Sequence, residues 1–138
     1  MKISTYSSAI ISIMALVAIS IFCLHTAQAE SANIKIRVMR DISNPKTLTC
    51  AGKTTIGTAM AAIGGDSFSK SVALIRDNNL YILSLDDSKT FLQITNITLK
   101  DGDEIVIITP GSNTIKLLKE KYTSIIHGRD AYKNLTNK

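Results

Sequence analysis

The feature that most constrains this chain is the apolar run from Ile10 to Leu24, because it divides a leader from the residues left to build a fold. Lys2 gives a positive start. Only small residues such as Ser12 and Ser20 interrupt the run, and Ala27-Gln28-Ala29 supplies the small-x-small pattern that signal peptidase cuts. The run falls short of the roughly 20 residues that a membrane-spanning helix needs. Residues 1–29 are therefore expected to be a signal peptide cleaved after Ala29, with a product that begins at Glu30 in the periplasm or outside the cell. The alternatives are a retained anchor and a lipoprotein attached at Cys23, where Phe22 stands in place of the usual small residue.

What remains is enough for one small domain with a single core. Its only cysteine is Cys50, so no internal disulfide is available and burial must hold the fold. Cys50 is expected as a small buried apolar group, with an intermolecular disulfide or reactive thiol as the alternative. The net charge of +5 is unevenly placed. Lys and Arg balance Asp and Glu from Glu30 to Thr114. The tail then carries Lys116, Lys119, Lys121, Arg129, Lys133 and Lys138 against Glu120 and Asp130. Outside the cytoplasm a basic tail points to anionic glycans, lipid headgroups or acidic proteins, or to a solvated helix face, and away from nucleic acid.

Ile34-Lys35-Ile36-Arg37-Val38 alternates with the period of a half-buried strand. Asn44-Pro45 predicts a turn, and Thr47–Cys50 a second short strand. Thr54 or Thr55 is placed to cap a helix on which Ile56, Ala59, Met60 and Ile63 share one face and which Gly64-Gly65 ends. Gly57 within it predicts close packing against a strand. Val72–Arg76 and Leu80–Leu85 flank Asp77-Asn78-Asn79, a tight-turn sequence. Asp86–Ile97 reads as polar and irregular, with Phe91, Leu92 and Ile94 plugging the core. Glu104–Thr109 is apolar on both faces, which predicts a central strand.

That order predicts the α+β class and a β-grasp arrangement, a ubiquitin-like roll in which a mixed sheet packs on one helix, over residues 30–113. The first and last strands are expected as parallel neighbours. In residues 114–138, Ile115, Leu118, Tyr122, Ile125 and Ile126 recur at helical spacing, which predicts one basic amphipathic helix ended by His127-Gly128. Its stripe is expected on its own domain, on a partner, or in peripheral contact with a membrane.

The span from about Ile34 to Pro110 resembles the soluble-ligand-binding β-grasp (SLBB) domain of bacterial polysaccharide-export proteins. The similar pieces are Ser43–Leu48, the helix Gly52–Gly65 ending in a diglycine, Ala73–Arg76, Leu80–Leu85 and Leu99–Ile107, in the family's order. Lys46 stands where the family usually has glycine. The family's pore-forming and translocating parts have no counterpart here, so the resemblance implies a stand-alone binding or assembly module. The same strand order also resembles the sulfur carriers of thiamin and molybdopterin synthesis. Those act through a C-terminal diglycine, whereas this sequence closes on Asn137-Lys138, which disfavours that chemistry.

No catalytic constellation emerges. Gly52-Lys53-Thr54 has Thr47 where a phosphate loop needs glycine. His127 and Cys50 make no zinc set. Ser124, His127 and Asp130 are read as polar residues at a helix end. Asp86-Asp87 and Asp101 with Asp103 fit turns better than a calcium loop. The expectation is a non-enzymatic module without cofactor or metal. It would recognise a glycan or an envelope protein through loop residues Asp41, Asn44, Lys46, Asp86, Asp87 and Lys89. The alternative is a structural subunit of an envelope export or secretion complex, a homo-oligomer formed through a sheet edge or the C-terminal helix.

Overall fold

The computed structural model of the protein describes residues 32–64 and 70–137. The expected signal peptide, its cut after Ala29, Cys23 and Gly65 lie outside the described residues. The elements run β1 (Ile34–Arg40), β2 (Ser43–Cys50), α1 (Ile56–Ala62), β3 (Ser71–Arg76), β4 (Asn79–Ser84), α2 (Ser88–Thr95), β5 (Glu104–Ile108), α3 (Thr114–Lys121), β6 (Ser124–His127) and α4 (Gly128–Thr136).

The strands form one mixed sheet in the order β2-β1-β5-β3-β4-β6. β1 lies parallel to β5 and β4 parallel to β6, while the remaining neighbours are antiparallel. This is α+β architecture. The all-apolar run Ile105–Ile108 sits in the middle, buried on both sides, as its composition requires.

Side-chain alternation sends β residues to two apolar layers. On one face Ile36, Val38, Leu74, Leu83 and Ile107 pack with Ile56 and Met60 of α1, Ile94 of α2, and Ala131 and Leu135 of α4. On the other, Met39, Ala73, Ile75, Leu80, Val106 and Ile108 pack with Leu118 of α3. Both faces are thus covered by helices. Where α3 does not reach, the second face is charged, and Arg37 donates to Glu104 of the neighbouring strand at 2.8 Å.

The turns follow local chemistry. Asp41 and Ile42 have φ of 49° and 60°, and Asp77 and Asn78 have 51° and 63°, so each pair forms a two-residue hairpin turn with both φ positive. The predicted turn at Asn44-Pro45 is displaced to Asp41-Ile42. Asn44 and Pro45 lie inside β2 instead, in the register shift opposite Val38–Arg40. An edge strand tolerates a proline that has no N–H to give. Thr55 caps α1 by accepting the Thr58 N–H at 3.4 Å, and Gly64 follows the helix at φ 69°. Gly57 packs closely, but against helix α2: a Cβ there would lie 3.0 Å from the Thr95 Cβ and 3.1 Å from its carbonyl oxygen.

Beneath these elements lies a buried ion pair. Arg76 Nε donates to Asp103 Oδ1 at 2.9 Å and its Nη2 to Oδ2 at 2.6 Å. The same guanidinium donates to the Thr98 carbonyl, and Asp103 Oδ2 also accepts the Lys100 N–H. The pair fastens β3 to the turn before β5.

Three further expectations are corrected. Asp86–Ile97 is not irregular: α2 forms there, because Asp87 caps it and Ile94 anchors it. Phe91 and Leu92 remain exposed. The tail is not a single amphipathic helix. It folds as α3, β6 and α4, and neither His127 nor Gly128 ends a helix; Gly128 opens one. The physical reason lies at Ile125-Ile126. Adjacent β-branched residues favour an extended backbone, and in β6 they point to opposite faces, Ile125 joining the α3 layer and Ile126 the other. The β4 edge supplies the pairing. Nor does one helix alone cover the sheet.

Candidate functional site

Because β4 and β6 are parallel neighbours, the helices that follow them start side by side at one end of the sheet. α2 and α4 then pack on the same face through Ile94, Ala131 and Leu135. Between them opens a cleft of about 560 Å³, within the range that small-molecule sites occupy. β4 contributes Ser84. The α2 end contributes Asp87, Lys89, Thr90, Gln93 and Ile94, and α4 contributes Gly128, Arg129, Tyr132 and Lys133.

Its chemistry is uneven. Lys89, Arg129 and Lys133 are exposed cations, whereas the lining has one carboxylate, Asp87. Asp87 is occupied: Oδ1 accepts the Thr90 N–H at 2.8 Å and Oδ2 the Thr90 hydroxyl at 2.6 Å. Those hydrogen bonds, aided by the nearby Lys89 charge, hold the Asp87 carboxyl below the usual carboxylate range. α4 begins without a side-chain cap hydrogen bond from His127. The half-buried Tyr132 and buried Ile94 give the cleft an apolar wall, and Ser84, Thr90 and Gln93 supply uncharged hydrogen-bonding groups.

The structure brings Asp87 and Lys89 of the expected site into this cleft. Asp86 sits beside it and accepts the Ser84 hydroxyl. Asp41, Asn44 and Lys46 are elsewhere. They belong to the β1–β2 hairpin: β1 lies three strand spacings from β4 across β5 and β3, about 14 Å at ~4.8 Å per spacing, and β2, which carries Asn44 and Lys46, lies four, about 19 Å. Asp41 is engaged in structure. Its Oδ1 accepts the Thr109 N–H at 2.9 Å, the Ser112 hydroxyl at 3.0 Å and the Thr114 hydroxyl at 2.9 Å. Burial raises this carboxyl, and the hydrogen bonds from Thr109, Thr114 and Ser112 outweigh it, leaving it below the ordinary value. Asn44, at φ 47°, and Lys46 are exposed on the edge strand.

Gln93, Arg129, Tyr132 and Lys133 are cleft residues that sequence reasoning missed. Reading one helix up to His127 leaves Arg129, Tyr132 and Lys133 in an undefined terminus, and reading Asp86–Ile97 as irregular leaves Gln93 on no helix face. The apolar pair Ala131 and Leu135, four residues apart, was the signal for a second helix. Ser124 and His127 lie on β6 and Asp130 on α4, so they share no helix face. Among the described residues no group of three or more His, Cys, Asp or Glu is placed to hold a metal ion, and no helix is long and apolar enough to cross a membrane. Comparison of the chain with known protein families, with curated proteins and with solved structures finds no match.

Proposed function

We propose that this protein is an exported, non-enzymatic binding module of the cell envelope, of β-grasp type, that recognises a glycan. The observation that carries the reading is the α2–α4 cleft. It gathers cations, hydroxyl and amide groups and an aromatic ring around an accessible space, while its one carboxylate is committed to capping a helix. Such a lining offers contacts to a polyhydroxylated ligand and no activated nucleophile–base pair. The order β2-β1-β5-β3-β4, with β1 parallel to β5 and α1 packed on one face, supports the β-grasp assignment and, with the sequence resemblance, the SLBB relationship. The leader in residues 1–29 supports the location.

The test is a glycan array probed with the exported protein, followed by amide-shift mapping of each ligand found. Shifts centred on Thr90, Gln93, Arg129 and Tyr132 are the expected result. No saccharide bound above buffer, or shifts confined to the β1–β2 hairpin, would overturn the assignment.

A second reading, an assembly subunit, draws on β2. This strand lies at the sheet edge, and Ser43–Thr47 are exposed. It predicts concentration-dependent association in light scattering. A monomer at every concentration would sink it.

A further inference from the structure

We propose that the cleft between α2 and α4 takes an acidic saccharide, its carboxylate held by Lys89, Arg129 and Lys133 and its ring laid against Tyr132. This inference rests on the glycan-binding reading and narrows the ligand to one chemical class.

Charge is the first argument. Three cations and one carboxylate line the space, and both oxygens of that carboxylate, Asp87, accept hydrogen bonds from Thr90. The chain from Glu30 to Thr114 is balanced in charge, so the local excess arises where the fold carries Arg129 and Lys133 of the tail up to Lys89. Asp130, in the first turn of α4, is not part of the lining. A cleft with a net excess of one sign of charge, here three cations against the Asp87 carboxylate, concentrates ligands of the other. Arg129 brings a planar fork suited to a carboxylate, which accepts two parallel N–H bonds from it.

The second argument separates a sugar from a bare ion. An inorganic anion needs donors alone, whereas this cleft has far more room than one ion fills. Its walls include the Tyr132 ring and Ile94; the Gln93 amide can meet hydroxyl groups, and Ser84, whose proton goes to Asp86, keeps an oxygen that accepts from one. Aromatic faces suit the apolar face of a pyranose, and uncharged polar side chains suit its hydroxyls.

The experiment is a calorimetric titration of the exported protein with trigalacturonate, with maltotriose as the neutral trisaccharide and with inorganic phosphate as the bare anion. It is repeated on the double variant Arg129→Gln/Lys133→Gln, on Lys89→Gln, on Tyr132→Leu and on Lys116→Gln/Lys119→Gln. The last removes the same charge from α3, which packs on the opposite face of the sheet. Thermal melts confirm folding, and Lys89→Gln, on another helix, covers the case in which the double variant fails to fold.

Trigalacturonate binding is expected to weaken about tenfold or more in the cleft double variant, one lost charge-assisted contact being enough for that factor. It should weaken also in Lys89→Gln, stay unchanged in the α3 variant, and decline as salt rises. Tyr132→Leu should weaken the trisaccharide and leave phosphate unaffected. Equal losses in the cleft and α3 variants would reduce the effect to net charge and overturn the site. Maltotriose bound as tightly as trigalacturonate would overturn the acidic ligand while leaving the glycan module standing. Phosphate bound as tightly as the trisaccharide would overturn the saccharide. No binding by any of the three would overturn this inference, and an empty glycan array would then remove the module as well.

Discussion

Asp41 and Thr114 are bonded across 73 positions of sequence, the Thr114 hydroxyl donating to the Asp41 carboxylate at 2.9 Å. With Thr109 and Ser112 as further donors, this carboxylate ties the β1–β2 turn to the loop that leads into α3. Asp41→Asn keeps an acceptor but loses the charge and should cost about 1 kcal/mol at neutral pH, the scale of a charge-assisted hydrogen bond at a partly exposed site. The folded carboxyl titrates below its ordinary value. Its contribution is therefore full above the unfolded value of about 4 and fades as pH falls through the lower folded value. Urea midpoints measured across pH should show parent and variant separated at neutrality and converging in acid. A gap independent of pH would contradict this.

Ile42 is a β-branched residue at φ 60° and is exposed. Left-handed backbone is costly for such a side chain, on the order of 1–2 kcal/mol. Ile42→Gly creates an Asp-Gly pair, the sequence this turn favours. After the extra flexibility given to the unfolded chain, a net gain of about 1 kcal/mol is expected. A denaturant midpoint that falls would show that the Ile42 side chain contributes more to the folded state than its conformation costs.

Arg76 and Asp103 are buried together, with side chains 7% and 2% exposed. Removing one partner leaves the other charged and desolvated. Arg76→Met should destabilise by about 3–5 kcal/mol. Because two such effects on one pair do not add, the double variant Arg76→Met/Asp103→Leu should recover part of the loss. Additive losses would mean that the two side chains act independently.

Truncation after Asn113 removes α3, β6 and α4 together. It uncovers Ala73, Leu80, Val106 and Ile108 on one face and opens the rim of β4. The truncated chain should bind a hydrophobic dye and precipitate where the parent stays in solution. A soluble truncated chain that melts as cooperatively as the parent would show that the first five strands fold without the tail.

The sequence was legible where a short-range pattern and the fold agree. Lys35 and Arg37 alternate with buried Ile34, Ile36 and Val38, Asp77-Asn78 makes its turn, and Thr55 and Gly64 bracket α1 as their chemistry dictates. It was illegible where long-range pairing decided the outcome. Ile115, Leu118, Tyr122, Ile125 and Ile126 satisfy a helical period, and only the open rim of β4, more than 40 positions earlier in sequence by pairing such as Asn79 with Ser124, makes the last two a strand. Asp41 of the expected site is illegible for the same reason. Asp41 looks like a free loop carboxylate until the donors from Thr109, Ser112 and Thr114 fold back to it. Asp87 and Lys89, named from the sequence, line the candidate cleft, but their neighbours Arg129, Tyr132 and Lys133 need β6 to place them.

The parallel pairing of β6 with β4 also imposes an order on assembly. Synthesis delivers residues 124–127 after the other five strands, so every nascent molecule passes through an interval in which an apolar sheet flank has been made and its cover has not. During that interval the flank of one molecule matches that of another. The yield of folded protein is then set by a race between arrival of the tail and capture of the flank by holdase chaperones or by sister chains.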